Sequence, residues 1–381
     1  MIYFDNCSTT HIKPRCVIRA IYKGITQYNY NPGRAGYRNA ISANLQVFRL
    51  RQTACDFFNT TSPDNVVITK SCTEALNIAL RSNVIKGGHI IATIFEHNSV
   101  LRTLQYLSNN YGVTYTLVTP DKNGIIQASS IEQAIRPNTY MVVTNHISNV
   151  TGFKQNIVKI GKLCLDKNLI YVVDGAQSAG HENIDMKSMH INYLSIAGHK
   201  GMFGPQGIGL LICNNCSPTP LLYGGTGTFS ESIVQPTDLP EGLESGTMSV
   251  SNIMGLNAGI CYTAKHLDTI KYKVAKLTKY LITELNKINE VMLYSNQTSV
   301  GVISFNIKGR TSSEVATELD KYNIEIRSGL HCAPKVHEYY GTLNTGMCRK
   351  GLSYFNTMSQ AKKFVKTLKK IIANFNTEKS K

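Results

Sequence analysis

An α/β fold with a largely parallel sheet, followed by a smaller α+β unit, is predicted by three features of this 381-residue sequence. Short β-branched runs alternate with longer helical patterns between about residues 65 and 213, the arrangement that lays helices over a parallel sheet. Acidic, lysine-bearing and glycine-rich segments follow directly on several of those runs, where open α/β sheets collect their ligands. Beyond a Gly-, Thr- and Pro-rich stretch at 218–246, the pattern changes to one long amphipathic helix with mixed elements after it.

Taken in order, VVIT at 66–69 reads as a strand and TEALNIAL after it as a helix. HIIATI at 89–94 leads into a helix near 98–110, and YMVVTN at 140–145 into helical spacing at 157–166. LIYVVD at 169–174, YLSIAG at 193–198 and IGLLIC at 208–213 complete the strand set. The second unit opens with a helix at 257–289, then the strand VGVISFNI at 300–307, a helix near 312–321, the strand IEIRS and a final helix at 359–375. Residues 362–381 hold seven Lys and one Glu, which reads as a solvated helix face.

Composition narrows the function classes. With 42% hydrophobic and 17% charged residues, coiled coils, collagen-like repeats and long disordered tails are excluded. No apolar run approaches the roughly 18 residues that span a bilayer, so no membrane is expected. Met1 leads straight into IYFDN without a basic start and apolar segment, which points to the cytoplasm. Ten scattered cysteines then read as reduced thiols. Forty Lys and Arg against 24 Asp and Glu leave a formal charge of +16, which favours anionic ligands or partners without choosing among phosphate, carboxylate and nucleic acid.

Several segments carry chemistry. In KSCTEALN at 70–77, Ser71 and Glu74 have capping-box spacing, and the exposed amides of that helix start, with the Thr73 hydroxyl, suit a phosphate. Asp174 ends a hydrophobic strand in IYVVDGAQSAG, and Lys200 follows the next strand in SIAGHKGMFGPQGIG, where a partly desolvated amine suits Schiff-base chemistry. Gly204, Gly207 and Gly209 have the wrong order for a dinucleotide fingerprint, so a nicotinamide cofactor is not expected. Cys213 and Cys216 form a lone CxxC, and no metal site is expected there.

Together the motifs YFDNCSTT, NPGRAGYR, TEALN, EHNS, SNVTG, DGAQSAG, GHKGMFGPQG, ESGT, RSGLHCAP and RKGLSYFNT resemble, in family order and over essentially the whole chain, the class V aminotransferases. These are pyridoxal-phosphate enzymes of fold type I, and the resemblance is to their cysteine desulfurase branch. It implies a large cofactor domain over residues 15–255, a small domain assembled from 1–14 and 256–381, and a homodimer. Lys200 would carry pyridoxal 5'-phosphate and move the substrate α-proton, Asp174 would pair with the ring nitrogen, Gln177 with the ring oxygen, and His97 would stack on the ring. Thr73, the backbone near Cys72 and His199 would hold the phosphate, and Thr247 would reach the phosphate of the partner subunit. Ala197 stands where relatives carry Ser or Thr as a phosphate ligand, and Ser195 lies two residues too far back to replace it.

For the substrate, the resemblance implies that Arg349 grips the carboxylate of L-cysteine, with Asn149 and Asn6 also at the substrate. Cys332 would take the sulfur as a persulfide and leave alanine, with Arg327 and His331 expected to favour its thiolate. RSGLHCAP resembles the group II form, whose cysteine lies on a short ordered segment and whose members hand sulfur to an acceptor protein for iron–sulfur clusters, thio-cofactors or tRNA. Such enzymes also act on L-selenocysteine. Selenocysteine lyase or another class V activity are the alternatives, and a scaffold or nucleic-acid-binding protein on the same fold is a third, which the full set of site residues disfavours.

Overall fold

The computed structural model describes residues 1–33 and 36–379. Arg34 and Ala35 of the NPGRAGYR loop, and the last two residues of the Lys-rich end, lie outside them. The chain opens with strand β1 (Ile2–Tyr3) and helices α1 (Arg15–Thr26) and α2 (Arg38–Phe58). Then come β2 (Val66–Thr69), α3 (Cys72–Ser82), β3 (His89–Thr93), α4 (Asn98–Tyr111), β4 (Thr114–Val118), α5 (Ala128–Gln133), β5 (Thr139–Asn145), α6 (Ile157–Asp166), β6 (Ile170–Asp174), β7 (Tyr193–Ala197) and β8 (Gly209–Cys213). The rest is α7 (Val250–Leu285), β9 (Val291–Leu293), β10 (Val302–Ile307), α8 (Ser312–Asp320), β11 (Ile324–Glu325), α9 (Pro334–Tyr339), β12 (Cys348–Gly351) and α10 (Met358–Lys379).

A seven-stranded sheet in the order β2-β8-β7-β6-β5-β3-β4 forms the centre. Only β8 runs against its neighbours β2 and β7, and the other pairings are parallel, as the sequence predicts. Its central strands are mainly apolar because both faces are covered, whereas the edge strand β4, TYTLV, is partly exposed. Val142, Val173, Leu194 and Ile196 belong to one buried cluster, whereas their neighbours Met141, Val143, Val172 and Tyr193 belong to the other. Period-two alternation thus feeds two cores from the same strands. A third cluster joins Ile2, Phe4 and Phe203 to residues from Ile270 to Phe375. Helix α7 links them: Ile253, Leu256 and Ile260 pack in the first core, Ile270 to Leu285 in the third.

Differences from the expected elements have local causes. Helix α7 starts at Val250, seven residues earlier than its apolar period suggests, because the Ser249 side chain accepts from the Asn252 amide and caps it there. The strand expected at IEIRS is only β11, paired with β1; further on, Arg327 exchanges backbone hydrogen bonds with Arg349 as an isolated bridge. Helices α1 and α2 are absent from the sequence-based reading. Each carries an exposed apolar stripe at helical spacing, Ile18, Tyr22 and Ile25 on α1 and Ile41, Leu45 and Phe48 on α2.

The parallel topology sends the ends of β2, β3, β5, β6 and β7 to one edge of the sheet. Two glycines let loops close over that edge. A Cβ on Gly209 would lie 2.7 Å from the Ser71 carbonyl carbon, so β8 can pass directly beneath the start of α3. Gly180, at φ +88°, packs against the Gly201 carbonyl and brings the DGAQSAG and GHKG loops together. None of the helices in the described residues is long and apolar enough to cross a membrane.

Candidate active site

At that edge a cavity is lined by Cys72, Thr73, His97, Asn149, Asp174, Gln177, His199 and Lys200, eight of the twelve residues singled out in the sequence. Asp174 arrives as the last residue of β6, paired in register with Asn145 and Ser195. One of its oxygens, Oδ1, accepts from the Ala176 amide at 2.8 Å and from the Cys72 thiol at 3.7 Å. Burial pushes that thiol up and, in the same cavity, pushes the Lys200 amine down from its usual value. The backbone carrying Lys200 is tied to the N-terminal segment: Thr10 Oγ1 donates to the Lys200 carbonyl at 2.9 Å, and Lys13 Nζ to that of His199 at 2.8 Å.

His97 caps α4 with its Nδ1, which accepts from the Ser99 amide at 3.1 Å. Its proton is therefore on Nε2. Desolvation brings its pKa down to about 4, so a neutral ring faces the cavity. Gln177 donates one amide hydrogen to the Cys7 carbonyl at 3.0 Å, which fixes its position and leaves the other free. Ser71 accepts from Glu74 with its side chain and from Ala75 with its carbonyl, leaving the Cys72 and Thr73 amides at the helix start to meet an anion. Glu74 reaches back to the Lys70 amide instead of the Ser71 amide, so the reciprocal cap is shifted by one residue. Ala197 also lines the cavity, and Ser195 behind it is buried with its hydroxyl unpaired.

Four of the singled-out residues lie outside the cavity lining. Arg349, on β12 and almost fully buried, donates from Nη1 to the Asn149 carbonyl at 3.0 Å and from Nη2 to Asp5 Oδ1 at 3.1 Å and Ser8 Oγ at 2.9 Å; its Nε has no partner. Asn6 donates to the Gly351 carbonyl at 2.9 Å, so its amide holds the start of the chain against the strand bearing Arg349. Thr247 is exposed, in a groove with Asn31, Gly33 and Gly225. Glu244, three residues earlier, is anchored by an ion pair with Arg51 and by the Ile68 amide at 2.7 Å.

Cys332 is exposed and lies at the outer rim, where its carbonyl accepts from the Asn98 amide at 2.7 Å and so ties it to the first turn of α4. Both His331 and Cys332 are left-handed, at φ +50° and +58°, a costly conformation for non-glycine residues held here by the surroundings. The expectation that His331 supplies positive charge to the thiol is corrected. His331 is buried, burial drives its pKa far down, and Nε2 donates to the Met347 carbonyl at 2.9 Å, so the ring is neutral. Its role is to hold the turn. The Arg327 guanidinium donates to Ser8 Oγ at 2.8 Å.

Glu96 is the residue that sequence reasoning missed here. Fully buried, it accepts from Thr93 Oγ1 at 2.6 Å and the Asn145 amide at 3.1 Å, while Oε2 has no partner. Burial pushes its carboxyl up to about 8, which keeps it neutral at pH 7 beside the Asp174 end of the sheet. Its only sequence signal was its place in EHNS, directly before His97.

The donor set suits pyridoxal phosphate. An amine, a carboxylate, a neutral ring face and the open amides of a helix start surround one cavity, and His199 Nδ1 and Asn149 Oδ1 are buried there without partners. Among the described residues no cluster of metal ligands is present.

Comparison with known proteins agrees. The sequence model of the family described as aminotransferase class-V matches residues 2–364. A probable cysteine desulfurase of Methanothermobacter thermautotrophicus is 32% identical over 97% of this chain and 94% of its own length, and a cysteine desulfurase of Wigglesworthia glossinidia brevipalpis is 28% identical over 97% and 92%. The apo structure of a cysteine desulfurase from Thermococcus onnurineus superimposes with a TM-score of 0.92 at 31% identity, covering 98% of this chain and 95% of that one. The cysteine desulfurase CsdA from Escherichia coli shares the fold, with a TM-score of 0.88 at 23% identity over 97% and 94%. The chain belongs to the class V aminotransferase family, in its pyridoxal-phosphate-dependent cysteine desulfurase branch.

Proposed function

We propose that this enzyme takes the sulfur of L-cysteine onto Cys332 as a persulfide, releases L-alanine and passes the sulfur to an acceptor. One observation carries the reading. Asn149, a lining residue of the Lys200 cavity, donates to the carbonyl of His331 at 2.7 Å and accepts from Arg349 at 3.0 Å, so a single hydrogen-bonded frame joins the reactive thiol, the arginine and the cavity.

Pyridoxal phosphate, when bound, supplies the electron sink that makes the α-proton of cysteine removable. Lys200 would hold it, with Asp174 at the ring nitrogen, Gln177 at the ring oxygen, His97 on the ring face, and Thr73, the Cys72 amide and His199 at the phosphate. The Lys200 amine, lowered by desolvation, keeps a neutral fraction that accepts the α-proton and returns it. Arg349 is preset by Asp5, Ser8 and Asn149, and its free Nε remains to grip the substrate carboxylate. Asn6 supports this arginine through Gly351. The Cys332 thiolate attacks the substrate sulfur: an S–S bond forms, the C–S bond breaks, and the carbon keeps the bonding pair and takes a proton, leaving alanine. A product assay tests this. Alanine from L-cysteine is expected; a keto acid in its place would identify a transaminase.

The division into residues 15–255 and 1–14 with 256–381 belongs to this reading, and the third core, which combines Ile2 and Phe4 with residues from 270 onward and takes only Phe203 from the larger unit, supports it. A cytoplasmic location, with the sulfur serving iron–sulfur clusters or thio-cofactors, belongs to it as well. So does a homodimer. The exposed stripes on α1 and α2 leave apolar area that a second copy would bury, and the exposed Thr247 is free to enter a neighbouring subunit. The double variant Tyr22→Asp, Phe48→Asp is expected to sediment as a monomer where the parent sediments as a dimer. A monomeric parent would remove this part of the reading.

A further inference from the structure

Opening from the cavity, with which it shares Thr73, His97 and Ser99, a groove of about 410 Å³ runs between helices α3 and α4 and includes Cys332 in its lining. Asn77, Arg81, Asn98, Arg102 and Tyr106 form its walls, and no Asp or Glu is among its lining residues. The Arg81 guanidinium carbon lies 4.8 Å from the Tyr106 ring centroid, with Nη2 3.5 Å from the hydroxyl. Arg102 is exposed. Among the described residues neither arginine has an ion-pair partner. No carboxylate neutralises this charge, and it sits beside the one thiol that the first turn of α4 fixes through Asn98.

We propose that this groove docks an acidic segment of a sulfur-accepting protein, with the segment's carboxylates on Arg81 and Arg102 and its cysteine presented to Cys332. The proposal rests on the persulfide reading above. In the transfer, the acceptor thiolate attacks the outer sulfur of the Cys332 persulfide; the new S–S bond forms on the acceptor, the old one breaks, and Cys332 leaves as a thiolate that takes up the proton the acceptor thiol gave away. No external oxidant or reductant is needed. A protein suits the site better than a nucleic acid because the step requires a thiol on the acceptor. The forked guanidinium of Arg81, held beside the Tyr106 ring, and the amide side chains of Asn77 and Asn98 also match separate carboxylates in a cleft between two helices.

The test uses the holoenzyme loaded with sulfur from L-cysteine, and two synthetic peptides that each carry one cysteine, flanked in one by glutamates and in the other by glutamines. Mass spectrometry follows the sulfur arriving on each peptide, and variants are compared at equal loading of Cys332. The glutamate peptide is expected to be sulfurated roughly tenfold faster at low ionic strength, because complementary charge steers encounter. That gap should shrink as salt rises and vanish in the double variant Arg81→Glu, Arg102→Glu. Arg102→Gln, at an exposed position, is expected to narrow it and guards against misfolding of the double variant. Equal rates for the two peptides, or a gap that survives charge reversal, would overturn the proposal. So would an oligonucleotide of matched charge that blocks both peptides alike. Failure of L-cysteine to load Cys332 at all would overturn the desulfurase reading itself, and docking with it.

Discussion

Replacing Cys332 with serine is expected to stop sulfur release from L-cysteine, lowering turnover by roughly three orders of magnitude or more, as removal of a nucleophile does. The substitution removes one sulfur at an exposed rim position, and the backbone bond from Asn98 to the residue 332 carbonyl does not depend on the side chain. Folding and cofactor absorbance should therefore stay as in the parent, which separates loss of chemistry from loss of structure. The other cysteines offer no substitute. Cys7 and Cys72 interact electrostatically with the Lys200 amine, but burial raises both thiols and keeps them protonated. Unchanged turnover in Cys332→Ser would show that the sulfur goes elsewhere.

Lys200→Ala is expected to abolish the absorbance of the covalently held cofactor and to lower turnover by roughly 10²–10⁴-fold from proton transfer alone. The sidedness of the effect matters. The Thr10 hydroxyl and the loop contacts bond the residue 200 backbone, so the circular dichroism and the Asp174 end of the sheet should survive. The variant should thus still bind the cofactor's phosphate end at α3 while losing its covalent attachment. An unaltered spectrum in the alanine variant would mean that another amine carries the cofactor. Lys13, whose amine burial lowers to about 8, is bonded to the His199 carbonyl and is not a lining residue of the cavity.

Much of this was legible in the sequence because the central strands are buried on both faces and read as mainly apolar runs ending in reactive residues, whereas the partly exposed edge strand β4 gives no such run. VVIT matches β2 residue for residue, and the helix at 157–166 matches α6. Asp174, Lys200 and His97 were readable because each sits within a few residues of a strand end. What the sequence obscured has two physical origins. Helices α1 and α2 carry apolar residues on their exposed sides, so their pattern does not announce which face is buried. The wiring of Arg349 to Asp5, Ser8 and Asn149 spans up to 344 residues of separation, and no local period encodes such contacts.

His331 gives a sharper lesson. Sequence proximity to Cys332 suggested an electrostatic partner, but the left-handed turn carries the ring inward to the Met347 carbonyl, where desolvation keeps it neutral. Glu96 shows the converse. A residue that passes for a strand-end acid is a buried neutral carboxyl bracing Asn145, the register partner of Asp174.

The central claim is that Cys332 receives the sulfur while the carbon skeleton leaves as alanine. The most direct measurement mixes the holoenzyme with L-cysteine, without reductant or acceptor, and compares the alanine released with the sulfur found by mass spectrometry on the peptide containing Cys332. The predicted result is one alanine per added sulfur atom in the first turnover, with the extra sulfur on Cys332. Alanine with no sulfur on that peptide, or sulfur on a different cysteine, would contradict it.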